Sequence, residues 1–231
     1  MLEATDRVVM ISGASRGIGR AAVERLVAGG YRVSAGVRDP RGLAGSDRLM
    51  LHRYDADSLP SAEAWIAATI EQFGRLDGLI NAAGINPEAD LADPDETAFD
   101  AMMLINVKAP MRLIRLALPH LAKSGEGRVI NVASMSGKRV RNANAGYAMS
   151  KFALLALTHA VRQYGWDHGI RATAICPSFV ATDMTAHVTK WPREKMSDPY
   201  DIAELIVTVL RLPNTATIAE LLVNCRLEDM L

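Results

Sequence analysis

An α/β fold with a doubly wound parallel sheet is predicted by three features of the 231-residue sequence. Short apolar runs alternate with segments of helical periodicity along the chain, which is typical of right-handed strand–helix–strand crossovers. A glycine-rich turn joins the first apolar run to the first helical segment, and no repeat or linker interrupts the alternation. We therefore expect a single domain over residues 1–231, with about seven parallel strands and helices on both faces.

Charge balance and cysteine spacing narrow the class of protein. Lys plus Arg and Asp plus Glu both number 26, so no overall field favours nucleic acid or an anionic membrane. The sequence has no apolar run of roughly 18 residues and no apolar leader, so we expect a soluble cytoplasmic protein. Cys176 and Cys225 lack paired-ligand spacing, which predicts free thiols and no metal site.

The glycine-rich turn indicates a dinucleotide site. Arg7–Ser12 reads as a buried strand, and helical periodicity follows residues 13–19 at once. At such a turn the free N–H groups of a helix N-terminus bind a pyrophosphate, and the glycines permit close approach. The alternative is a plain tight turn, but the strand and helix that the motif requires are both present. The candidate cofactor contacts here are Gly13, Ser15, Arg16, Gly17, Ile18 and Gly19.

The end of the next strand indicates which dinucleotide is bound. Arg38 stands about where an acidic residue holds the ribose 2′-hydroxyl of NAD. An arginine there suits the 2′-phosphate of NADP instead, and Arg16 could meet the same phosphate from the other side. NADP is therefore favoured. The adjacent Asp39 leaves NAD open, because it could take the hydroxyl if the turn is shifted by one residue.

A group of acid–base side chains follows a later strand. Ser134 ends an apolar run, and Tyr147 and Lys151 stand four residues apart at the start of a helical segment. Residues four apart share one helix face, so the phenol and the ammonium can point into one site that Ser134 reaches from a strand end. Asn106 interrupts an earlier helical segment, and Pro110 removes the bond to its carbonyl, which could then hold a water.

Taken together, these motifs resemble a known family along nearly the whole chain. The sequence is similar to a classical short-chain dehydrogenase/reductase, a Rossmann-type fold. The resemblance is carried by residues 12–19, residues 81–84, Asn106, Ser134, Tyr147, Lys151 and residues 177–182.

The resemblance implies a role for each matching residue. Tyr147 is the general acid–base, Ser134 binds the substrate oxygen, and Lys151 holds the nicotinamide ribose and lowers the pKa of Tyr147. Asn106 supports a water relay from Lys151. Cofactor contacts beyond the glycine turn and Arg38 are implied for Asp55, Ala56, Asn81, Ala82, Gly84, Tyr147, Lys151, Pro177, Val180 and Thr182.

Two departures from the family pattern concern the substrate side. Ser178 stands where the family commonly has glycine, and the C-terminal segment lacks the usual glycines. That ending is similar to family members that act on small 3-hydroxy acids and related alcohols. Residues 183–199 are predicted to form a substrate-binding lid. Met135, Met149 and Met184 could form an apolar wall. One of Lys138, Arg139 and Arg141 could hold a substrate carboxylate, with Arg141 as the candidate, or all three could remain solvated loop charges.

The resulting functional hypothesis is an NADP(H)-dependent oxidoreductase that acts on the carbonyl or hydroxyl group of a small molecule, with a 3-hydroxy acid as one candidate. A ketoacyl-thioester or quinone-type reductase is the alternative enzyme. A nucleotide-sensing protein without catalysis is the alternative from another class, and the intact Tyr147 and Lys151 argue against it. The resemblance also implies a homotetramer or homodimer that assembles through the two long helices, with no nucleic-acid or membrane partner.

Overall fold

The computed structural model describes residues 1–41, 43–141 and 143–228. Its centre is one seven-stranded sheet in the order β3-β2-β1-β4-β5-β6-β7, with every neighbouring pair parallel. The predicted doubly wound Rossmann-type fold is confirmed as a single domain. The strands are β1 (Val8–Ser12), β2 (Arg32–Val37), β3 (Leu49–Arg53), β4 (Gly78–Asn81), β5 (Arg128–Val132), β6 (Arg171–Pro177) and β7 (Glu220–Val223).

Helices cover both faces of the sheet, and their ends follow local signals. Ser58, which directly precedes the second helix, accepts a hydrogen bond from the Ser61 amide at 3.2 Å. Within the described ranges, no helix is both long and apolar enough to cross a bilayer. The helices are α1 (Gly17–Ala28), α2 (Leu59–Phe73), α3 (Thr97–Met103), α4 (Ala109–Ser124), α5 (Ala145–Gly165) and α6 (Pro199–Arg211).

The helical segment that Asn106 interrupts is divided by a π-helical segment, Leu104–Lys108, that joins α3 to α4. The Ala109 amide donates to the Leu104 carbonyl across this segment, and Pro110 directly follows. Proline cannot donate to the carbonyl four residues earlier, so the local widening lies where a regular α-helix would in any case lose a hydrogen bond. Such bulges are frequent at functional sites.

Two hydrophobic cores, one on each face, hold the sheet. Val9 and Ile11 point to the face covered by α1 and α6, while Val8 and Met10 point to the face covered by α2, α4 and α5. Side chains alternate along a strand, so each strand contributes to both cores. This explains why the strands read as nearly continuous apolar runs.

The amino ends of the two central strands are held by Asp77. Its fully buried carboxylate accepts hydrogen bonds from the Val8 amide at 2.8 Å, from Arg75 at 2.7 Å and from Ser124 at 2.7 Å. Burial alone would raise the pKa of Asp77, but these hydrogen bonds keep the pKa below its ordinary value. β1 and β4 are thereby fixed side by side at the point where the strand order reverses, and ligands bind open α/β sheets beyond the carboxyl ends of such strands.

Candidate active site

The glycine turn fits closely against the loop that follows β4. Gly13 has a φ of +71°, and a Cβ there would lie 2.6 Å from the backbone nitrogen of Ala83. Glycine is the residue that adopts this positive φ without strain and has no Cβ to collide with Ala83. The turn therefore passes beside residues 82–84 and delivers the N-terminus of α1, at Gly17, to the carboxyl edge of the sheet. The free amides of that terminus favour an anion.

A cavity of about 660 Å³ opens at this edge. It brings together the turn after β1, the loops after β4 and β5, the start of α5 and the segment after β6. The expected substrate contacts Met135, Arg141 and Met184 line it, as does the serine of the predicted catalytic group, Ser134. The predicted cofactor contacts on its walls are Gly13, Ser15, Arg16, Gly17, Ile18, Gly19, Arg38, Asp55, Ala56, Ala82, Gly84, Tyr147, Lys151, Pro177, Val180 and Thr182.

Asn81 is not among these lining residues, so its contact with the cofactor stays a prediction. Its side chain is buried, and its Nδ2 donates to Asn131 Oδ1 at 2.8 Å. Asn131 donates in turn to Thr158 Oγ1 on α5 at 2.8 Å. Because Asn81 and Asn131 are register partners on β4 and β5, both amides point toward the helix layer. Asn81 therefore ties the sheet to α5 beneath the cavity.

Arg38 and Asp39, the two candidates for the adenosine ribose, are placed differently. Arg38 lines the cavity. The carboxylate of Asp39 forms a bidentate pair with Arg41, with its shortest N–O distance at 2.8 Å. That hydrogen bonding holds the pKa of Asp39 below its ordinary value. Arg16 also lines the cavity, and its guanidinium lies 3.3 Å from Asp183 on the predicted lid.

Ser134, Tyr147 and Lys151 come together at the inner end of the cavity, as the sequence predicts. Ser134 follows β5, and its hydroxyl accepts the Ser136 amide at 3.0 Å and hydrogen bonds the Tyr147 phenol. Lys151 Nζ donates to the Val132 carbonyl at 3.0 Å and lies 5.6 Å from the centre of the Tyr147 ring. The three polar groups thus surround one small volume.

Asn144 fixes the start of α5, which carries two of these groups. Its Oδ1 accepts the Tyr147 amide at 3.1 Å, and its Nδ2 donates to Asn86 Oδ1 at 2.9 Å and to the Pro87 carbonyl at 2.8 Å. One side chain therefore caps α5 and attaches it to the loop after β4. An Asn before a helix is a recognisable cap, but its second contact depends on the tertiary fold.

Asn106 lies in the π-helical segment and is fully buried. Its Oδ1 accepts the Ile85 amide at 2.9 Å, while its Nδ2 donates to the Ile85 carbonyl at 2.9 Å and to Ser150 Oγ at 3.0 Å. The side chain thus makes the inter-element hydrogen bonds that an asparagine inside a helix requires. The water relay through its carbonyl stays a prediction.

Comparison with protein families matches residues 7–193 to the family described as short chain dehydrogenase. The chain belongs to this family. The geometry of its candidate site can therefore be read in terms of short-chain dehydrogenase chemistry.

Relatives and solved structures agree with this family assignment. Agropine synthesis reductase from Rhizobium rhizogenes is 44% identical over 229 residues, which cover 96% of this chain and 53% of that protein. A second such reductase from the same organism is 41% identical and is covered to 52%. The chain thus spans about half the length of these two curated relatives. A solved 3-ketoacyl-(acyl-carrier-protein) reductase from Brucella melitensis, complexed with NADH, has a TM-score of 0.85, with 27% identity over 96% of this chain and 98% of that chain.

Burial has the largest effect on the pKa values of Tyr147 and Lys151. It raises the pKa of Tyr147 to about 12, against the opposing hydrogen bond from Ser134. It also lowers the pKa of Lys151 to about 8. The sequence led us to expect a lowered Tyr147 pKa. In this structure Lys151 donates to Val132 rather than to the phenol, so desolvation outweighs its influence on Tyr147.

The outer half of the cavity contains charged side chains that sequence reasoning did not assign to the site. Their signal in the sequence was weak, because they lie in the predicted lid or beyond the last strand. Lys138, one of the three loop cations considered from the sequence, pairs with Glu220 at 2.8 Å. Arg139, another of the three, lines the cavity, and the unassigned charged or titratable residues on its wall include His187, Lys190, Arg226 and Glu228.

Replacing Lys151 with methionine is expected to stabilise the fold at pH 7. Burial lowers the pKa of Lys151 to about 8, so below that pH the folded protein carries a desolvated charge that the unfolded chain hydrates. This deficit shrinks as the pH rises from the folded pKa to the unfolded pKa of about 10.4. Lys151→Met should therefore raise the free energy of unfolding by about 3 kcal/mol at pH 7, with no gain above pH ~10.5.

Urea denaturation at both pH values measures this difference, with the exposed Lys123→Met as the matched control. An equal gain at both pH values would mean that packing, rather than charge burial, is responsible.

Proposed function

We propose that the chain is an NADP(H)-dependent oxidoreductase that moves a hydride between the nicotinamide and the carbonyl or hydroxyl carbon of a small molecule. The observation that carries the proposal is the placement of Ser134, Tyr147 and Lys151 at the inner end of a cavity whose other end is the glycine turn. Such an arrangement supplies proton transfer beside a dinucleotide site.

The cofactor fits the residues present. The pyrophosphate would bind at the N-terminus of α1, where Gly13 and the small residues 82–84 permit close approach. Asp55 and Ala56 would contact the adenine, and Thr182 with Val180 would hold the nicotinamide amide. When bound, the nicotinamide supplies or accepts the hydride. All remaining steps belong to side chains of the chain itself.

The proton is handled by Tyr147. With a pKa of about 12 its phenol is protonated at neutral pH, so in the direction of reduction it donates to the substrate oxygen as negative charge develops there. Ser134 donates a hydrogen bond to the same oxygen. Lys151 would hold the ribose hydroxyls and stabilise the phenolate that proton donation leaves behind. Asn106 would support the water relay that returns a proton to Lys151.

NADP is favoured by the charges around the adenosine end. Arg38 lines the cavity, whereas the carboxylate of Asp39 is engaged by Arg41. A 2′-phosphate would gain a charge-assisted contact with Arg38 and a second one with Arg16. Arg16 would then have to share or exchange its contact with Asp183.

The substrate class follows from the outer half of the cavity. Arg139, Arg141, Lys190 and Arg226 bring positive charge, which Glu228 offsets in part, to walls that also include Met135 and Met184. A small, partly apolar carbonyl compound with an acid group fits both features. We therefore propose a keto acid and 3-hydroxy acid pair, with Arg141 as one contact for the carboxylate. The name of the 44% identical relative, a reductase, favours the reductive direction.

Assembly into a homotetramer or homodimer is part of the proposal. The long helices α4 and α5 expose large apolar side chains to solvent, among them Met111, Met149, Phe152 and Tyr164 with exposed fractions of 41%, 52%, 44% and 60%. Apolar side chains concentrated on two long helices are typical of an interface.

Tyr147→Phe is expected to retain cofactor binding and to reduce kcat for carbonyl reduction by about 10³-fold, because the proton donor is lost while the ring remains. NADPH and NADH oxidation with a panel of keto acids, ketones and quinones measures this. The exposed Tyr164→Phe is the matched control. Near-normal turnover would contradict the mechanism. Cofactor binding with no turnover in the wild type would favour a nucleotide-binding role.

Arg38→Asp is expected to reverse the cofactor preference. The variant removes a partner of the 2′-phosphate and introduces repulsion, so the Kd for NADPH should rise about 100-fold while that for NADH changes little. Each cofactor is titrated into the protein, and the change in protein fluorescence gives the Kd for NADPH and the Kd for NADH. Arg48→Asp, at an exposed arginine before the amino end of β3 and away from the cavity lining, is the control. An unchanged ratio of the two constants would rule out Arg38 as the selecting residue.

Phe152→Glu is expected to dissociate the assembly, because the charge would be buried at the helix interface. Light scattering after gel filtration should show a lower mass for this variant. Leu91→Glu, at a loop position with an exposed fraction of 87%, should keep the wild-type mass. A wild-type mass equal to one chain would refute the proposed assembly.

A further inference from the structure

The segment after β7, residues 224–228, turns a carboxylate into the active-site cavity. Leu227 is fully exposed, with a relative accessibility of 100%, whereas Glu228 is 8% exposed and lines the cavity. A surface segment normally buries its apolar residue and leaves its charged residue in water. Here the order is reversed, so the carboxylate must find strong partners inside.

Three donors surround this carboxylate. Ser178 Oγ donates to Glu228 Oε1 at 2.7 Å, and Arg226 Nε approaches the same oxygen at 3.4 Å. The guanidinium of Arg139 forms an ion pair with the other oxygen, Oε2, and the two paired side chains are only 12% and 4% exposed. Two guanidiniums and a hydroxyl form a complete binding site for a carboxylate, with charge-assisted bonds in low dielectric.

The donors come from the segments that also form the reaction site. Arg139 stands five residues after Ser134 in the loop that follows β5, and Ser178 directly follows Pro177 at the end of β6. Arg139, Ser178, Ser134 and Tyr147 line one continuous cavity. A substrate whose carbonyl oxygen meets Ser134 and Tyr147 would extend its remaining atoms toward this carboxylate site.

We propose that Arg139, Ser178 and Arg226 form the subsite for a substrate carboxylate, and that Glu228 occupies it until an anionic substrate displaces it. The inference rests on the proposed function, since it assigns the substrate class of that same site. The C-terminal segment thus acts as an internal competitor for acids. Neutral carbonyl compounds do not need the subsite and are not subject to this competition.

The segment is held in a way that permits displacement. Residues 224–228 have no helix or strand structure, and the exposed Leu227 adds no apolar anchor. Opening is therefore opposed mainly by the polar contacts of Glu228, which a substrate carboxylate would replace. Arg226 lies 5.6 Å from the ring centre of Phe179 and 5.3 Å from that of Trp191. Trp191 belongs to the predicted lid, residues 183–199, so a movement of the segment would change a contact of the lid.

The test compares two ketones that differ in charge, acetoacetate and methyl acetoacetate, on the wild type and on Glu228→Gln. Loss of the competing carboxylate should lower KM for acetoacetate about tenfold, while KM for the ester changes by less than about twofold. Glu220→Gln, a half-buried glutamate paired with Lys138 outside the cavity, should change neither value. Equal changes for both ketones, or a higher KM for acetoacetate, would overturn the proposal. Glu228→Ala repeats the test if the first variant does not fold.

A binding measurement separates this proposal from the proposed function. Succinate, which cannot be reduced, is titrated by calorimetry into the wild type and Glu228→Gln. Binding about tenfold tighter to the variant supports the carboxylate subsite even if neither ketone is turned over. Equal affinity for both proteins overturns the subsite even if the enzyme is active.

Discussion

The hydrogen bonds of Asn106 are the constraint on which the site depends. Two of them hold both backbone groups of Ile85, just after the loop that contacts the glycine turn, and a third holds Ser150 on α5. The Ser150 hydroxyl donates to the Tyr147 carbonyl at 2.8 Å. One buried amide therefore sets the distance between the cofactor side of the cavity and the helix that carries Tyr147 and Lys151. A buried network is valuable in this way only when each polar atom has a partner.

The two halves of the cavity use different means of recognition. The cofactor side relies on backbone groups and close packing, because Gly13 lets the glycine turn lie directly against the backbone of Ala83. The outer half relies on charged side chains from loops, which can change without disturbing the sheet. Arg139, Arg226 and Glu228 belong to this outer half. Such a division explains how a chain can keep the chemistry of its family while its substrate preference is set separately.

Sequence reasoning recovered the parts of the site that depend on local pattern. The glycine turn, Ser134, and Tyr147 with Lys151 were predictable because parallel strands place their carboxyl ends at one edge and residues four apart share a helix face. The hydrogen bond of Asn81 to Asn131 was not predictable, because it depends on the register of β4 with β5. Glu228 gave no signal, since nothing in the sequence shows that a segment beyond the last strand folds back. The Tyr147 pKa depends on burial, which appears only when the layers pack.

The parallel sheet has a kinetic consequence. Its central pair joins Val9 to Gly78, so the strands that border the site meet only after a long intervening stretch has been closed into a loop. The entropy lost in that closure precedes the contacts that offset it, and topologies of this kind fold slowly. Until β1 pairs with β4, the apolar residues and the unpaired edge of β1 stay exposed to other chains. The chain is therefore most prone to aggregation before β1 and β4 have paired and the glycine turn has met the loop after β4.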